Sequence, residues 1–219
     1  MSARTTLPQR RKLETRQQIL DGAYRVFVRA GYGAASVDEI IAEADVSKGA
    51  LYHHFSGMEE MFRAILAEHV RRCAEQMAGA IDAGAPLLAN TENVLRASWE
   101  TAMADPAWPA LQLEFWAHAT RDEHAREIVA ESIVTCRELI ANFVRQLQKA
   151  GIVRPQVNPE AAARLFIGVN DGVFLQWQVE PREVDPDVLF SPMAEMITYF
   201  LTYDDEAQKA PTARKGQPP

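Results

Sequence analysis

The chain has 219 residues, of which 47% are hydrophobic and 24% are charged, and its formal net charge is −7. This composition is typical of a folded globular protein and excludes a disordered chain. No apolar run approaches the roughly 20 residues that a bilayer requires, and the basic N-terminus has no apolar segment of the secretory type. We therefore expect a cytoplasmic protein without a membrane partner, in which Cys73 and Cys136 are reduced, buried thiols.

The charge is unevenly distributed along the chain. Residues 1–55 contain eight Lys and Arg against six Asp and Glu, whereas residues 56–219 contain fifteen against twenty-four. Within residues 1–16 the count is five against one. A basic leading end on an acidic body predicts a protein that contacts phosphates with one end only.

The apolar residues recur at helical spacing almost throughout, so we expect an all-α fold. The predicted helices cover about residues 12–30, 37–44, 48–55, 58–82, 92–104, 107–119, 122–150 and 159–179, with a ninth from about 192. Helix starts are indicated by Thr91, Asn158-Pro159 and Ser191-Pro192, and Gly31 and Gly151 indicate helix ends. The expected domains are a flexible basic arm (1–11), a three-helix head (12–62), a six-helix body (63–203) and a disordered tail (204–219).

Residues 36–55, SVDEIIAEADVSKGALYHHF, predict two short helices joined by a tight turn. Ser36 and Ser47 are good N-caps for them. In the second helix Leu51 and Phe55 lie four residues apart as the buried side, which leaves the outer face to a cation, a glycine and ring donors: Lys48, Gly49, Tyr52 and His53. This is the layout of a helix-turn-helix, whose second helix enters the major groove of DNA.

The same segment resembles the signature of the TetR family of transcriptional regulators. The resemblance covers roughly residues 12–66 and includes Thr15, Ile19, Leu20, Ala23, Phe27 and Gly31-Tyr32 upstream and Phe62 downstream. It implies a regulator that binds a palindromic double-stranded DNA operator as a homodimer and responds to a small-molecule effector. Repression is the default mode in this family, and activation is the alternative.

The resemblance and the helix positions together give a set of expected DNA contacts. Base edges or flanking phosphates would be approached by Ser47, Lys48, Gly49, Ala50, Tyr52, His53 and His54 on the recognition helix. Phosphates would be approached at helix starts by Thr15, Arg16, Ser36 and Val37. Two alternatives remain open, because His54 could be structural and Tyr52 could pack its ring against helix one. Arg10, Arg11 and Lys12 could form an arm into the minor groove.

The chain departs from the family pattern just beyond this segment. The family usually places a Lys at the opening of helix four, where it meets a phosphate, and this sequence has Met58 there. The loss of one phosphate contact is expected to flatten the salt dependence of DNA binding by about one unit of slope without abolishing binding.

By analogy with the four-helix interface of the family, helices eight and nine are expected to form the dimer. Helix eight has apolar residues around much of its circumference, and such a helix must bury more than one face. The predicted interface residues are Phe166, Ile167, Val173, Met193, Met196, Ile197 and Phe200.

The body is rich in aromatic residues and resembles, around residues 111–126, the C-terminal domain of choline-responsive betaine-operon repressors and their relatives. The rings and side chains expected to line an effector cavity are Trp99, Met103, Trp108, Phe115, Trp116, His118, Asn170, Phe174 and Trp177. Further polar groups could come from Glu114, Asn142, Asp171 and Gln176. A cationic or amphipathic ligand is one hypothesis, because Trp rings stand near acidic residues. Binding is expected to tilt helix four and separate the recognition helices.

Two other classes of protein fit the sequence less well than a regulator. A helical enzyme is disfavoured because the sequence shows no nucleophile–base pair, no phosphate-binding glycine loop and no metal-ligand spacing, so no cofactor or metal is expected. A helical scaffold that has lost operator binding is disfavoured by the intact segment from Lys48 to Phe55.

Overall fold

The computed structural model of the protein describes residues 7–203. Within this range the chain is all-α, as expected, and contains nine helices: α1 (Leu7–Ala30), α2 (Val37–Ala44), α3 (Lys48–His54), α4 (Met58–Gly79), α5 (Leu87–Met103), α6 (Trp108–Ala119), α7 (Glu123–Lys149), α8 (Pro159–Val179) and α9 (Pro186–Thr202). Helices α1–α3 form the head and α4–α9 form the body. None of the helices described has both the length and the apolarity to cross a membrane.

The caps of the two head helices form as the sequence predicts. Ser36 and Glu39 make a reciprocal capping box, in which the Ser36 hydroxyl accepts from the Glu39 amide and the Glu39 carboxylate accepts from the Ser36 amide. Asp45 ends α2 in the left-handed region, with φ of 50°. Ser47 then caps α3 by accepting from the amide of Ala50 at 3.1 Å. Together they fix the tight turn between α2 and α3.

A close helix contact inside the head was not visible in the sequence. Gly22 on α1 is buried against α2, and a Cβ at this position would lie 2.7 Å from Cβ of Ala44. Gly22 therefore allows α1 and α2 to approach more closely than any residue with a side chain would.

Helix α1 begins at Leu7 rather than at Lys12, so residues 7–11 of the predicted arm are helical. Arg10 and Glu14 form an exposed ion pair at 3.0 Å, which is the spacing that one helical turn provides. This difference places Arg10 and Arg11 on the helix. The rest of the predicted arm, residues 1–6, and the predicted disordered tail, residues 204–219, lie outside the described residues.

Two predicted helix starts were misplaced. Thr91 is buried inside α5, where its hydroxyl donates to the Leu87 carbonyl at 2.9 Å, and the helix begins after Pro86. Helix α9 begins at Pro186 with Asp185 as its cap, and Pro192 lies inside the helix. In both cases a second proline or cap residue stands upstream of the predicted start. The start of α8 at Asn158-Pro159 is confirmed.

The head and the body share one hydrophobic core. Phe62 on α4 stacks on Phe115 of α6 with ring centroids 3.7 Å apart, and Tyr32 meets Phe115 edge-on at 4.7 Å. Trp108 on α6 belongs to the same buried cluster. We call Tyr32, Phe62, Trp108 and Phe115 the head–body joint. These buried rings pack α4 and α6 directly against the head.

Candidate functional site

Helix α3 presents one buried and one exposed side, as its sequence predicts. Leu51 and Phe55 are buried at 0% and 2% exposure and pack into the core of the head. The opposite side is exposed and carries the predicted recognition residues Lys48, Gly49, Tyr52 and His53. A short helix with a cation, a glycine and two ring donors on one open face has the chemistry needed to contact a groove of DNA.

Two features leave this face available for a ligand. The Lys48 ammonium lies 3.6 Å from the Asp38 carboxylate, and both side chains are exposed. Such an exposed pair has little net stability, so Lys48 can exchange Asp38 for a phosphate at small cost. No atom lies within 4 Å of a Cβ built at Gly49, so the backbone there can be approached closely.

The two open alternatives on α3 have different outcomes. Tyr52 is 50% exposed, so its ring does not pack away against helix one. His54 is half-buried, and its pKa is lowered by burial and by the nearby charges of His53, Lys12 and Arg16. The structure thus places His54 at the edge of the face rather than at its centre.

The residues expected to contact phosphates differ in their exposure and in the hydrogen bonds they already make. Arg16 is exposed and lies over the ring of Phe55, with its guanidinium carbon 5.0 Å from the centroid. The hydroxyl of Ser36 donates to the Glu39 carboxylate at 2.8 Å, so it is already engaged. Thr15 and Val37 are half-buried. Ala50 is also half-buried, and its amide donates to the Ser47 hydroxyl.

The departure at Met58 has a structural counterpart. Met58 is the first residue of α4 and packs, half-buried, against the core shared by head and body. Glu60 in the same turn accepts hydrogen bonds from the Ser56 amide and hydroxyl at 2.7 and 2.8 Å. The start of α4 therefore carries an apolar side chain and an engaged carboxylate in place of a free cation.

The body contains a large, partly open apolar cavity of about 910 Å³, bordered by residues of α4 to α9. Aromatic rings form a substantial part of its wall, and they are Trp108, Trp116, Phe143, Phe166, Phe174 and Phe200. A volume of this size, with mostly apolar walls and few polar groups, is typical of a small-molecule site.

The polar groups of the wall are few. Asn170 donates through Nδ2 to the Ser98 hydroxyl at 2.9 Å, which joins α8 to α5. Asp171 also borders the cavity, and burial raises its pKa to about 6. His69 is stacked on Trp108 with centroids 4.1 Å apart, and burial lowers its pKa to about 4. At neutral pH His69 is uncharged and Asp171 is ionised.

Of the nine side chains predicted to line the cavity, Trp108, Trp116, Asn170 and Phe174 do so, and five are placed elsewhere. Trp99, Met103 and Trp177 pack in a separate cluster with Phe190, where Trp99 stacks on Phe174 at 5.1 Å. Phe115 lies in the head–body joint. His118 is exposed and faces Tyr32 with centroids 5.3 Å apart. Helical spacing indicated that most of these residues face inward. It could not indicate which side chains they pack against, because those side chains come from distant parts of the chain.

Some of the additional polar side chains predicted for the cavity border it, and others do not. Asn142 borders the cavity together with Asp171, whereas Gln176 is exposed. The Glu114 carboxylate instead accepts from the amide of Gly33 at 3.4 Å, between the head and α6. Gln112, which accepts from the indole of Trp108 at 3.0 Å, is a wall residue that the sequence analysis did not identify.

The predicted dimer residues also fall into groups. Met193 is buried in the Trp99 cluster of its own chain, so it is not available to a partner. Phe166, Ile167, Ile197 and Phe200 are half-buried and border the cavity, while Val173 is half-buried against the Trp99 cluster. Met196 is exposed.

The two cysteines are free and half-buried, and both border the cavity. Burial raises the pKa of the Cys73 thiol and raises that of Cys136 to about 11. Both thiols are therefore protonated at neutral pH, as expected of buried cysteines.

An exposed helix-turn-helix face on a head that shares its core with a cavity-bearing helical body defines a class of protein, the one-component transcriptional regulators. Two family models match the chain. The model of the bacterial regulatory proteins of the tetR family matches residues 19–65, and that of the BetI-type transcriptional repressor C-terminal domain matches residues 88–201. The chain belongs to the TetR family of transcriptional regulators.

Individual relatives agree with this assignment. The HTH-type transcriptional regulator UidR of Escherichia coli K12 is 25% identical over 166 residues, which are 76% of this chain and 83% of that protein. The structure of Salmonella enterica GusR superposes with a TM-score of 0.72 at 26% identity, covering 86% of this chain and 96% of GusR. Bacillus subtilis FadR in complex with stearoyl-CoA gives a TM-score of 0.70 at 19% identity, covering 83% and 97%.

Proposed function

We propose that this regulator binds a palindromic operator as a homodimer through α3, represses by occupying a promoter, and is released by an effector in the apolar cavity. The observation that carries the DNA-binding part is the exposed row on α3, where Lys48 and Gly49 stand on the face opposite Leu51 and Phe55. Phosphate contacts by Lys48 and Arg16 would set position, and Tyr52 and His53 would reach base edges.

The proposed dimer uses the apolar residues that α8 and α9 leave uncovered. Val179 and Leu175 on α8 are 73% and 48% exposed, and Tyr199 and Met196 on α9 are 58% and 52% exposed. Large exposed apolar side chains on two consecutive helices are typical of a surface that a partner covers. A second copy of the chain would also bring a second α3 into register with the next turn of DNA, about 34 Å away.

The dimer is tested by introducing charge on that surface. We expect a double substitution, Val179→Glu with Tyr199→Glu, to convert the protein to a monomer in light scattering after gel filtration. Leu13→Glu on α1 is the matched control, because Leu13 is 61% exposed and lies on the head. A double variant that remains dimeric would show that α8 and α9 do not form the interface.

The proposed release of DNA depends on the connection between the cavity and the head. Trp108 borders the cavity, stacks on His69 of α4, and lies in the head–body joint with Phe62. An effector that binds one arrangement of these rings more tightly than another would shift α4 and with it the spacing of the two recognition helices. An effector that binds the cavity tightly yet leaves operator affinity unchanged would contradict this mechanism for that effector.

The bound molecule of a structural neighbour does not identify the effector. FadR was solved with stearoyl-CoA, a large polyanion, but at 19% identity the likeness to this chain is one of fold. No Lys or Arg is among the described residues that border the cavity here, so an acyl-CoA would find no cation for its phosphates. The groups that select the effector are the residues that border this chain's own cavity.

The decisive experiment is selection of bound sequences from a random DNA pool with purified protein. The proposal predicts an enriched palindrome bound by two chains, whose genomic position then identifies a promoter. A promoter–reporter fusion should be repressed by the protein. If no sequence is enriched, the proposal that the protein binds an operator is refuted. If the protein stimulates the reporter, it is an activator and not a repressor.

A further inference from the structure

Asp171 is unusual among the residues that border the cavity. It lies on α8, and it is the only acidic residue among the described wall residues, which also contain no Lys or Arg. It makes no hydrogen bond or ion pair with any other residue in the described part of the chain. Burial alone accounts for the raised pKa of its carboxyl group. The cavity therefore contains one carboxylate without a protein partner.

The surroundings of Asp171 offer it no counter-charge. The Cys73 thiol on α4 and the Cys136 thiol on α7 are close enough for its charge to raise the pKa of both. Each thiol is neutral at pH 7 and is only a weak donor. The amide of the adjacent Asn170 is engaged with Ser98 on α5. His69, the remaining titratable group of the wall, is uncharged because burial lowers its pKa to about 4.

A half-buried carboxylate that faces mostly apolar walls is costly unless something neutralises it. The protein does not supply a cation at this position, but a ligand can. A protonated nitrogen would pair with the Asp171 oxygens, and an apolar skeleton attached to it would fill the aromatic part of the wall formed by Trp108, Trp116 and Phe174.

We propose that the ligand of this cavity is an apolar organic amine whose protonated nitrogen pairs with Asp171. The inference rests on the proposed function, in which the cavity is the effector site. It excludes carboxylic acids and other anions as effectors, because an anionic group inside the cavity would meet the Asp171 carboxylate and no cation. Neutral molecules of the same shape would bind through the walls alone and more weakly.

The test compares matched ligands that differ only in the polar group. Amines, alcohols and carboxylic acids built on phenylbutyl, naphthylethyl and decyl skeletons are titrated into the full-length protein at pH 7.5 by calorimetry. For at least one skeleton we expect the amine to bind about tenfold or more tightly than its alcohol, the contribution of a charge-assisted hydrogen bond, and the acid to bind least.

Asp171→Asn removes the charge while retaining the shape of the side chain. We expect this variant to bind the amine about tenfold more weakly and the alcohol unchanged. Glu100→Gln, an exposed carboxylate on α5, is the matched control and should retain the preference for the amine. The inference is overturned if no amine binds more tightly than its alcohol and acid, or if Asp171→Asn leaves amine binding unchanged. Because the titrations contain no DNA, either result is independent of whether the protein binds an operator.

Discussion

The hydroxyl of Tyr24 on α1 donates to the Asp105 carboxylate at 2.5 Å, across 81 residues of sequence. Asp105 lies in the connection between α5 and α6, three residues before Trp108, and the Tyr24 and Trp108 rings are 6.3 Å apart. Burial and the Asp105 carboxylate both raise the pKa of Tyr24, so its hydroxyl remains a donor. This bond joins α1 of the head to the connection between α5 and α6 of the body, close to the cavity-wall residue Trp108.

The Tyr24–Asp105 bond should contribute measurably to the stability of the whole chain. We expect Tyr24→Phe and Asp105→Ala to show a coupling of about 1–2 kcal/mol in a double-mutant cycle of urea unfolding, because the bond is partly buried and one partner is charged. The exposed Arg71–Glu75 pair is the control, with an expected coupling below about 1 kcal/mol. A coupling near zero between Tyr24 and Asp105 would show that this bond does not stabilise the contact between head and body.

The local structure of the head could be predicted from the sequence, whereas this bond could not. Ser36, Ser47 and Gly31 specify helix starts and ends through backbone groups a few residues away, so their roles are visible in the residue order. The pairing of Tyr24 with Asp105, or of Asn170 with Ser98, depends on how whole helices pack. No periodicity in the chain encodes such a pairing.

The sequence also could not show which aromatic residues border the cavity. Helical spacing indicates that Trp99 and Trp108 face the interior of the protein. It does not distinguish a residue that borders the cavity from one that packs in the solid core. Trp99 packs against Phe174 and Phe190 and does not border the cavity, whereas Trp108 does. Composition predicted an aromatic site, and only the packing decides which rings belong to it.

Gly49→Ala should have opposite effects on folding and on DNA binding. The added methyl meets no protein atom within 4 Å, and alanine favours a helix over glycine by up to about 1 kcal/mol, so stability should be equal or higher. In the groove the same methyl would occupy space needed by the DNA. We expect the affinity for the selected operator, measured by fluorescence anisotropy, to fall at least about tenfold.

The control for this experiment is Gly79→Ala at the end of α4, where a Cβ also meets nothing within 4 Å. This variant should bind the operator as the wild type does. If Gly49→Ala also binds with unchanged affinity, α3 does not approach DNA closely at this position.

Met58→Lys should restore the phosphate contact that the family pattern includes. A Lys at this half-buried position can extend its charged end to solvent along the apolar surface. We expect the slope of log affinity against log salt to become steeper by about one unit and binding to tighten at low salt. Met58→Leu, which adds no charge, should keep the wild-type slope. An unchanged slope in Met58→Lys would show that the start of α4 does not face a phosphate.

Asp171→Asn should stabilise the ligand-free protein at neutral pH. The folded-state pKa of Asp171 is about 6, above the usual value of 3.8, so the unfolded chain loses this proton first as the pH rises. Stability attributable to this group therefore falls between about pH 4 and pH 6 and stays low above that range. His69, Cys73 and Cys136 face the same cavity and keep one protonation state between pH 5 and 8.

We expect Asp171→Asn to exceed the wild type by on the order of 2 kcal/mol in chemical unfolding at pH 7.5, with the difference vanishing near pH 4. Glu100→Gln should show no such difference at either pH. A variant less stable than the wild type at pH 7.5 would mean that the carboxylate is satisfied in the folded protein.

The operator affinity of Lys48→Ala shows whether the exposed face of α3 binds the operator. The control is Lys149→Ala, which removes a cation from the exposed last turn of α7. Anisotropy titrations over a range of salt should show at least about tenfold weaker binding and a slope about one unit smaller per site for Lys48→Ala, with no change for Lys149→Ala. Equal operator affinity for Lys48→Ala and the wild type would contradict the assignment of α3 as the recognition helix.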